Sequence, residues 1–195
     1  MRDGLEWPAI WEQLDTAWQQ PATGYLPPDT VVSGDVLYRR PEGALPFKTS
    51  QSARSEFFAA LKEMGYSSPP ALTLLTADDP ASERLAQYVA QSWQKHLSLY
   101  VAIEKVPADA LASRVTVGNY QLAIYAFTPR NRNAGEALAA FALSAEEGNF
   151  SRYSDAAYLE ACRRLASDAT PEKVLAVEKM LYDACPAVPL SFVSR

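Results

Sequence analysis

Few residues in this chain could do chemistry, and the densest group is Thr128-Pro129-Arg130-Asn131-Arg132-Asn133. Two guanidiniums this close suit a carboxylate or a phosphate, because each offers a planar fork of donors and a fixed charge. The same pair also reads as a solvated turn, the usual setting of arginine at a surface. His96 is the single histidine. It stands near the end of a helical stretch, where its ring is expected to meet terminal carbonyls. Asp78-Asp79 precedes Pro80 and reads as a helix cap rather than a carboxylate pair. Glu178 falls among Val174, Val177 and Leu181 on an amphipathic stretch, where a basic partner is expected. G-x-S-x-G, the Walker lysine motif, H-E-x-x-H and G-x-G-x-x-G do not occur. No catalytic residue, metal ligand set or cofactor is assigned, and the chain does not read as an enzyme.

Two cysteines, Cys162 and Cys185, fall on consecutive expected helices. Antiparallel packing would leave them roughly 9 Å apart along the axes at the usual helical rise, too far for an unstrained disulfide. They read as two buried structural thiols, and neither has the spacing of a zinc site. A net charge of −5 and the absence of a Lys/Arg run argue against nucleic acid as a partner. No apolar run reaches the ~18 residues that span a bilayer. The N-terminus, Met-Arg-Asp-Gly-Leu-Glu-Trp, lacks the layout of a signal peptide.

The elements that must position these groups follow from periodicity. Trp7, Ile10, Trp11, Leu14 and Trp18 recur at helical spacing, with Pro8 tolerable in the first turn, and should lay a tryptophan stripe on a core. Residues 21–50, rich in Pro, Gly, Asp, Thr and Ser, read as an irregular surface wrap. A helix over 52–64 should turn Phe57, Phe58, Leu61 and Met64 inward and stop at Gly65. The order then reads strand 71–76, helix 80–97, strand 99–105, helix 107–117, strand 121–127. Crossover helices between short apolar strands imply parallel pairing and right-handed connections. The fold class is α/β, a mixed sheet flanked by helices. One domain is expected over 1–195, with 1–50 as helix and wrap and 51–195 as core. Residues 153–184 should form two amphipathic helices meeting at Thr170-Pro171-Glu172-Lys173, before a last strand in 188–193. Ligands of open α/β sheets gather at the carboxyl ends of strands. The candidate ligand-binding residues are therefore Tyr125, Phe127, Thr128, Arg130, Asn131 and Arg132.

Several short motifs occur in the order found in one family. They are Ala22-Thr23-Gly24-Tyr25-Leu26-Pro27-Pro28, Leu61-Lys62-Glu63-Met64-Gly65-Tyr66, Leu97-Ser98-Leu99-Tyr100-Val101-Ala102-Ile103, and the block Thr170-Pro171-Glu172-Lys173, Glu178 and Pro186-Ala187-Val188-Pro189-Leu190. Together they resemble the C-terminal lobe of the family 5 extracytoplasmic solute-binding proteins of ABC importers, the dipeptide, oligopeptide and nickel-binding type. In the third motif, serine stands where the family has glycine. The resemblance implies one lobe of a type II periplasmic-binding-protein fold that binds a peptide or similar solute and delivers it to a membrane permease. It implies an extracytoplasmic protein, lipid-anchored through a region upstream of residue 1, where the other lobe would also lie. The isolated lobe is expected to be a monomer that binds solute weakly. In peptide-binding members, a strand-end tryptophan is followed by Asp-Tyr-Pro-Asp, whose first carboxylate holds the ligand's ammonium group. Ungapped matching puts Phe127 at the tryptophan and Arg130 at the acid. Either the ligand presents an anionic or neutral group there, or the contact comes from elsewhere, or the match is shifted. The alternative function is an interaction or sensing module that keeps the lobe fold without transport.

Overall fold

The computed structural model describes residues 1–14, 19–126, 128, 133–144 and 147–193. In chain order the elements are α1 (Trp7–Trp11), β1 (Gln19–Pro21), β2 (Thr30–Ser33), β3 (Val36–Tyr38), α2 (Ala53–Glu63), β4 (Leu72–Ala77), α3 (Pro80–Leu97), β5 (Val101–Val106), α4 (Ala108–Val117), β6 (Leu122–Ala123), α5 (Ala134–Ala139), α6 (Ala156–Ser167), α7 (Pro171–Ala184) and β7 (Ser191–Val193). They fall into two compact units. One comprises Met1–Pro21, Phe47–Ala126 and Val193–Arg195, the other Ala22–Pro46 and Phe127–Phe192.

The first unit is built on a parallel sheet with strand order β5-β4-β6. Leu72 to Ala77 pairs in register with Val101 to Val106, and Leu74 and Leu75 pair with Leu122 and Ala123. Leu74, Leu75 and Thr76 are all buried, so both faces of β4 are covered, as parallel strands require. The βαβαβ order expected from periodicity is present, and α3 keeps its expected bounds. β6 is shorter than expected. Ile124 N–H still donates to Leu75 O (2.9 Å), but Asp78 N–H turns to Val106 O (2.9 Å), so the end of β4 bonds to β5 rather than to β6.

Helix α3 begins where Asp79 accepts from Ala81 N–H (3.0 Å) and Ser82 N–H (2.9 Å), with Pro80 at its first position. It ends at Ser98, whose φ of 54° lies in the left-handed region that glycine favours. Ser98 N–H returns to Gln94 O and Leu99 N–H to Trp93 O, both at 3.2 Å. Val89, Trp93 and Leu97 face inward. The tryptophan stripe packs as core: Trp7, Ile10 and Leu14 are buried, and Trp7 meets Phe47 edge-on at 4.9 Å. Its helix covers only Trp7–Trp11, and Trp18 lies outside the described residues. In α2 only Ala53 and Leu61 are buried; Met64, expected inside, is exposed because the helix ends before it.

The second unit packs β2, β3, α5, α6 and α7 around Leu26, Tyr38, Leu138, Tyr158, Leu165 and Leu181. The two C-terminal helices stand as expected. Asp155 caps α6 through Tyr158 N–H (2.6 Å), and Thr170 caps α7 through Lys173 N–H (3.4 Å). Two elements were not expected. Within the 21–50 wrap, β2 and β3 form an antiparallel hairpin over Gly34-Asp35, with Gly34 in the left-handed region. Helix α5 is capped by the Asn133 side chain, which accepts from Glu136 N–H (2.8 Å).

Glu178 fixes the wrap to α7. Val174, Val177, Glu178 and Leu181 share the inward stripe of the helix, so the carboxylate is wholly buried. Its Oε1 accepts from Tyr25 N–H (2.7 Å), Leu26 N–H (3.0 Å) and Arg40 Nη2. Its Oε2 accepts from the Tyr38 hydroxyl (2.6 Å) and Arg40 Nε (2.8 Å). The expected basic partner of Glu178 is thus Arg40. Burial, followed by the Glu178 carboxylate, pushes the Tyr38 hydroxyl well above its ordinary pKa. Gly24 makes room for this: a Cβ there would lie 2.2 Å from Arg40 Cζ. Tyr25 completes the tie, its hydroxyl donating to Ala187 O (2.7 Å) and Leu181 O (3.0 Å).

Candidate functional site

The sheet of the first unit has a topological switch point. The chain runs β4, β5, β6, but in space β4 lies between the other two. Helix α3 carries the chain from β4 to β5 on one side, and α4 brings it back past β4 to β6 on the other. Ligands of open α/β sheets gather at the carboxyl ends of strands at such a reversal. Those ends carry Asp78-Asp79 after β4 and Ile124-Tyr125-Ala126 after β6. Asp79 is occupied as a helix cap. Hydrogen bonds from Ser82, side chain and then backbone, and from Ala81 N–H hold its carboxyl below the usual aspartate range. Asp78 is exposed, with its backbone fixed to β5. Tyr125 is partly exposed at 37%.

Of the six residues predicted from sequence, Tyr125 follows the carboxyl end of β6 and Thr128 is exposed. Phe127, Arg130, Asn131 and Arg132 lie outside the described residues. Sequence reasoning did not place Asp78 among the candidates. The signal was present in its position directly after an apolar strand, one residue ahead of the capping acid. An ion pair stiffens this sheet: Arg114 of α4 grips Glu104 of β5 through Nη1 (2.5 Å) and Nη2 (3.2 Å). The hydrogen bonds from Arg114 hold the Glu104 carboxyl below its usual range.

The remaining chemical candidates are structural. His96 does not bond to helix carbonyls as expected; its Nε2 lies 3.8 Å from Glu6 Oε2 and has no hydrogen-bond partner. Lys95, the residue before it, already holds Glu6 with both oxygens (2.8 and 2.9 Å). Neither cysteine is in a disulfide. Cys162 is buried, and burial raises its thiol pKa. Cys185 is only half-buried, because it forms the left-handed cap of α7 at φ 52°. Among the described residues, no group of three or more His, Cys, Asp or Glu could hold a metal ion. No helix among the described residues is long and apolar enough to cross a membrane. Among the described residues, the carboxyl ends of β4 and β6 carry the exposed Asp78 carboxylate and the Tyr125 ring.

No protein-family model matches the sequence, and no curated protein matches it. Solved structures do match. The chain is similar to the Escherichia coli murein tripeptide binding protein MppA, at 20% identity and a TM-score of 0.80, over 98% of this chain and 38% of MppA. It is similar to the pheromone receptor PrgZ, at 19% identity and a TM-score of 0.81, over 97% of this chain and 37% of PrgZ. A peptide-binding protein of a peptide ABC transporter matches at 23% identity and a TM-score of 0.81, over 97% of this chain and 87% of that one. The chain thus spans less than two fifths of MppA and PrgZ. From these likenesses and the βαβαβ sheet, the chain has the fold of the type II periplasmic peptide-binding proteins.

Proposed function

We propose that this chain is the C-terminal lobe of a solute receptor of an ABC importer, and that it takes part in binding a peptide or peptide-like solute. One observation carries the reading: nearly the whole chain superposes on part of proteins described as peptide-binding. The complete protein is a two-lobed clamp in which ligand shifts the population toward the closed form. It works outside the cytoplasm, is anchored by lipid beyond this chain, and hands solute to a membrane permease. The lobe turns over no substrate and stays monomeric on its own.

The solute lies at the carboxyl ends of β4 and β6. In sequence, Tyr125, Phe127, Thr128, Arg130, Asn131 and Arg132 follow β6. On the ungapped match, Arg130 falls where the family resemblance puts an acid, and a cation there would repel a peptide ammonium. Photo-crosslinking tests the location. A peptide bearing a benzophenone side chain should label residues 124–132, and unlabelled peptide should compete. Labelling that is spread over the surface, or that does not compete, would remove the site from this edge.

A further inference from the structure

The second unit carries a cavity of about 390 Å³ bordered by Thr23, Leu26, Pro27, Asp29, Tyr38, Arg39 and Arg40. That is within the size range of small-molecule sites. Its polar side chains are Thr23, Asp29, Tyr38, Arg39 and Arg40. Arg40 is locked by bonds from Nε to Glu178 and from Nη2 to Leu26 O (2.9 Å) and Glu178, with its guanidinium 5.5 Å from the centroid of the Tyr38 ring. Its side chain is only 8% exposed. Nη1 donates one hydrogen to Thr23 Oγ1 (3.1 Å) and has a second to give. Thr23 accepts that bond, so its own hydroxyl hydrogen is left to donate. Arg39, 82% exposed, meets Asp29 at a loose 3.3 Å, an ion pair worth little at a surface. Asp29 itself sits at φ 58°, in the left-handed region.

We infer that this cavity binds a small organic carboxylate, with Arg40 Nη1 and the Thr23 hydroxyl as fixed donors and Arg39 as a swinging one. A guanidinium held by four bonds loses little freedom when a ligand arrives, which favours an anion over water. Arg39 exchanges Asp29 for the ligand carboxylate. Pro27 and Pro28, both exposed, give the border its apolar surface, so the carboxylate has a non-polar tail. Glu178 matches Arg40, so the charge open to a ligand is that of Arg39 once it leaves Asp29, which limits the ligand to one negative charge. This site lies within the second unit, and it does not depend on the proposed function.

Amide NMR spectra of the full chain, titrated with benzoate, test the assignment. Benzoate should shift the Thr23, Arg39 and Arg40 signals saturably, and benzamide, its neutral analogue, should not. Asp29→Asn should tighten benzoate several-fold, because it removes the competing carboxylate. Arg39→Gln should weaken it by about tenfold, the loss of one charge-assisted bond. No saturable shift at these residues at tens of millimolar benzoate would overturn the site. Equal binding of benzamide would reduce it to an apolar dent and overturn the carboxylate. Inorganic phosphate binding more tightly than benzoate would overturn the organic, singly charged ligand. Asp29 is exposed and paired only weakly, so Asp29→Asn gives a clear result even if Arg39→Gln perturbs the fold.

Discussion

Glu178 shows how one residue can set the position of a whole segment. A buried carboxylate is costly unless its lone pairs are met, and here five donors meet them. All five come from side chains or backbone more than 130 positions away in sequence. Glu178→Ala leaves the Arg40 guanidinium buried without its counter-charge, which should cost about 3–5 kcal/mol. Urea unfolding measures this, and a loss below ~1 kcal/mol would mean that the network contributes little. A basic partner for Glu178 was legible from its place on an inward stripe. That the partner would be Arg40 was not legible, because the contact is set by the path of the wrap and not by local spacing. Gly24 has the same history. It reads as part of a turn motif, but its physical reason is the guanidinium that passes where a Cβ would sit.

At the scale of elements, caps carried the clearest sequence signal. Asp79-Pro80 and Thr170-Pro171 each start a helix where expected, because a short acceptor and a proline both suit a first turn. Asp79→Ala should cost about 1 kcal/mol. The contribution also depends on pH. The folded pKa of Asp79 is lowered, so its stabilisation is present above the unfolded value near pH 4 and fades as pH falls through the folded value. Asp79→Asn keeps an acceptor and should flatten that dependence in thermal melts across the acid range. Ser98 makes the opposite case. It occupies a left-handed cap, where a Cβ costs about 1 kcal/mol or more, so Ser98→Gly should raise stability by up to that amount. Unchanged or lower stability would mean that the unfolded-state entropy of glycine outweighs the strain. The hairpin and α5 were missed for identifiable reasons. Gly34-Asp35 between apolar runs is a two-residue turn signal hidden in a Pro-rich segment. Gly135 weakens the helical signal in the sequence, although α5 runs through it and Asn133 and Glu136 stand at capping-box spacing. β6 was overestimated because its apolar run continues past the point where β4 turns away.

For the whole molecule, the α/β class and the βαβαβ order followed from alternating periodicities, which local sequence encodes well. The division into two compact units did not, since it joins Ala22–Pro46 to residues more than eighty positions later. Strand order points to the carboxyl ends, and Tyr125 follows β6. The rest depends on residues in the 129–132 stretch, whose roles rest on chemistry and resemblance. The central claim is that the chain is one lobe of a clamp that closes on a peptide. A lobe supplies only part of the contacts, so binding by this chain alone should be weak.

Native mass spectrometry, on this chain and on the complete protein encoded by its reading frame, tests that claim most directly when both are purified without added ligand. The account predicts a heterogeneous set of peptide-sized adducts on the complete protein and none on the 195-residue chain. Bare masses for both, with the chain forming a dimer, would contradict it and favour an interaction module that retains the binding fold.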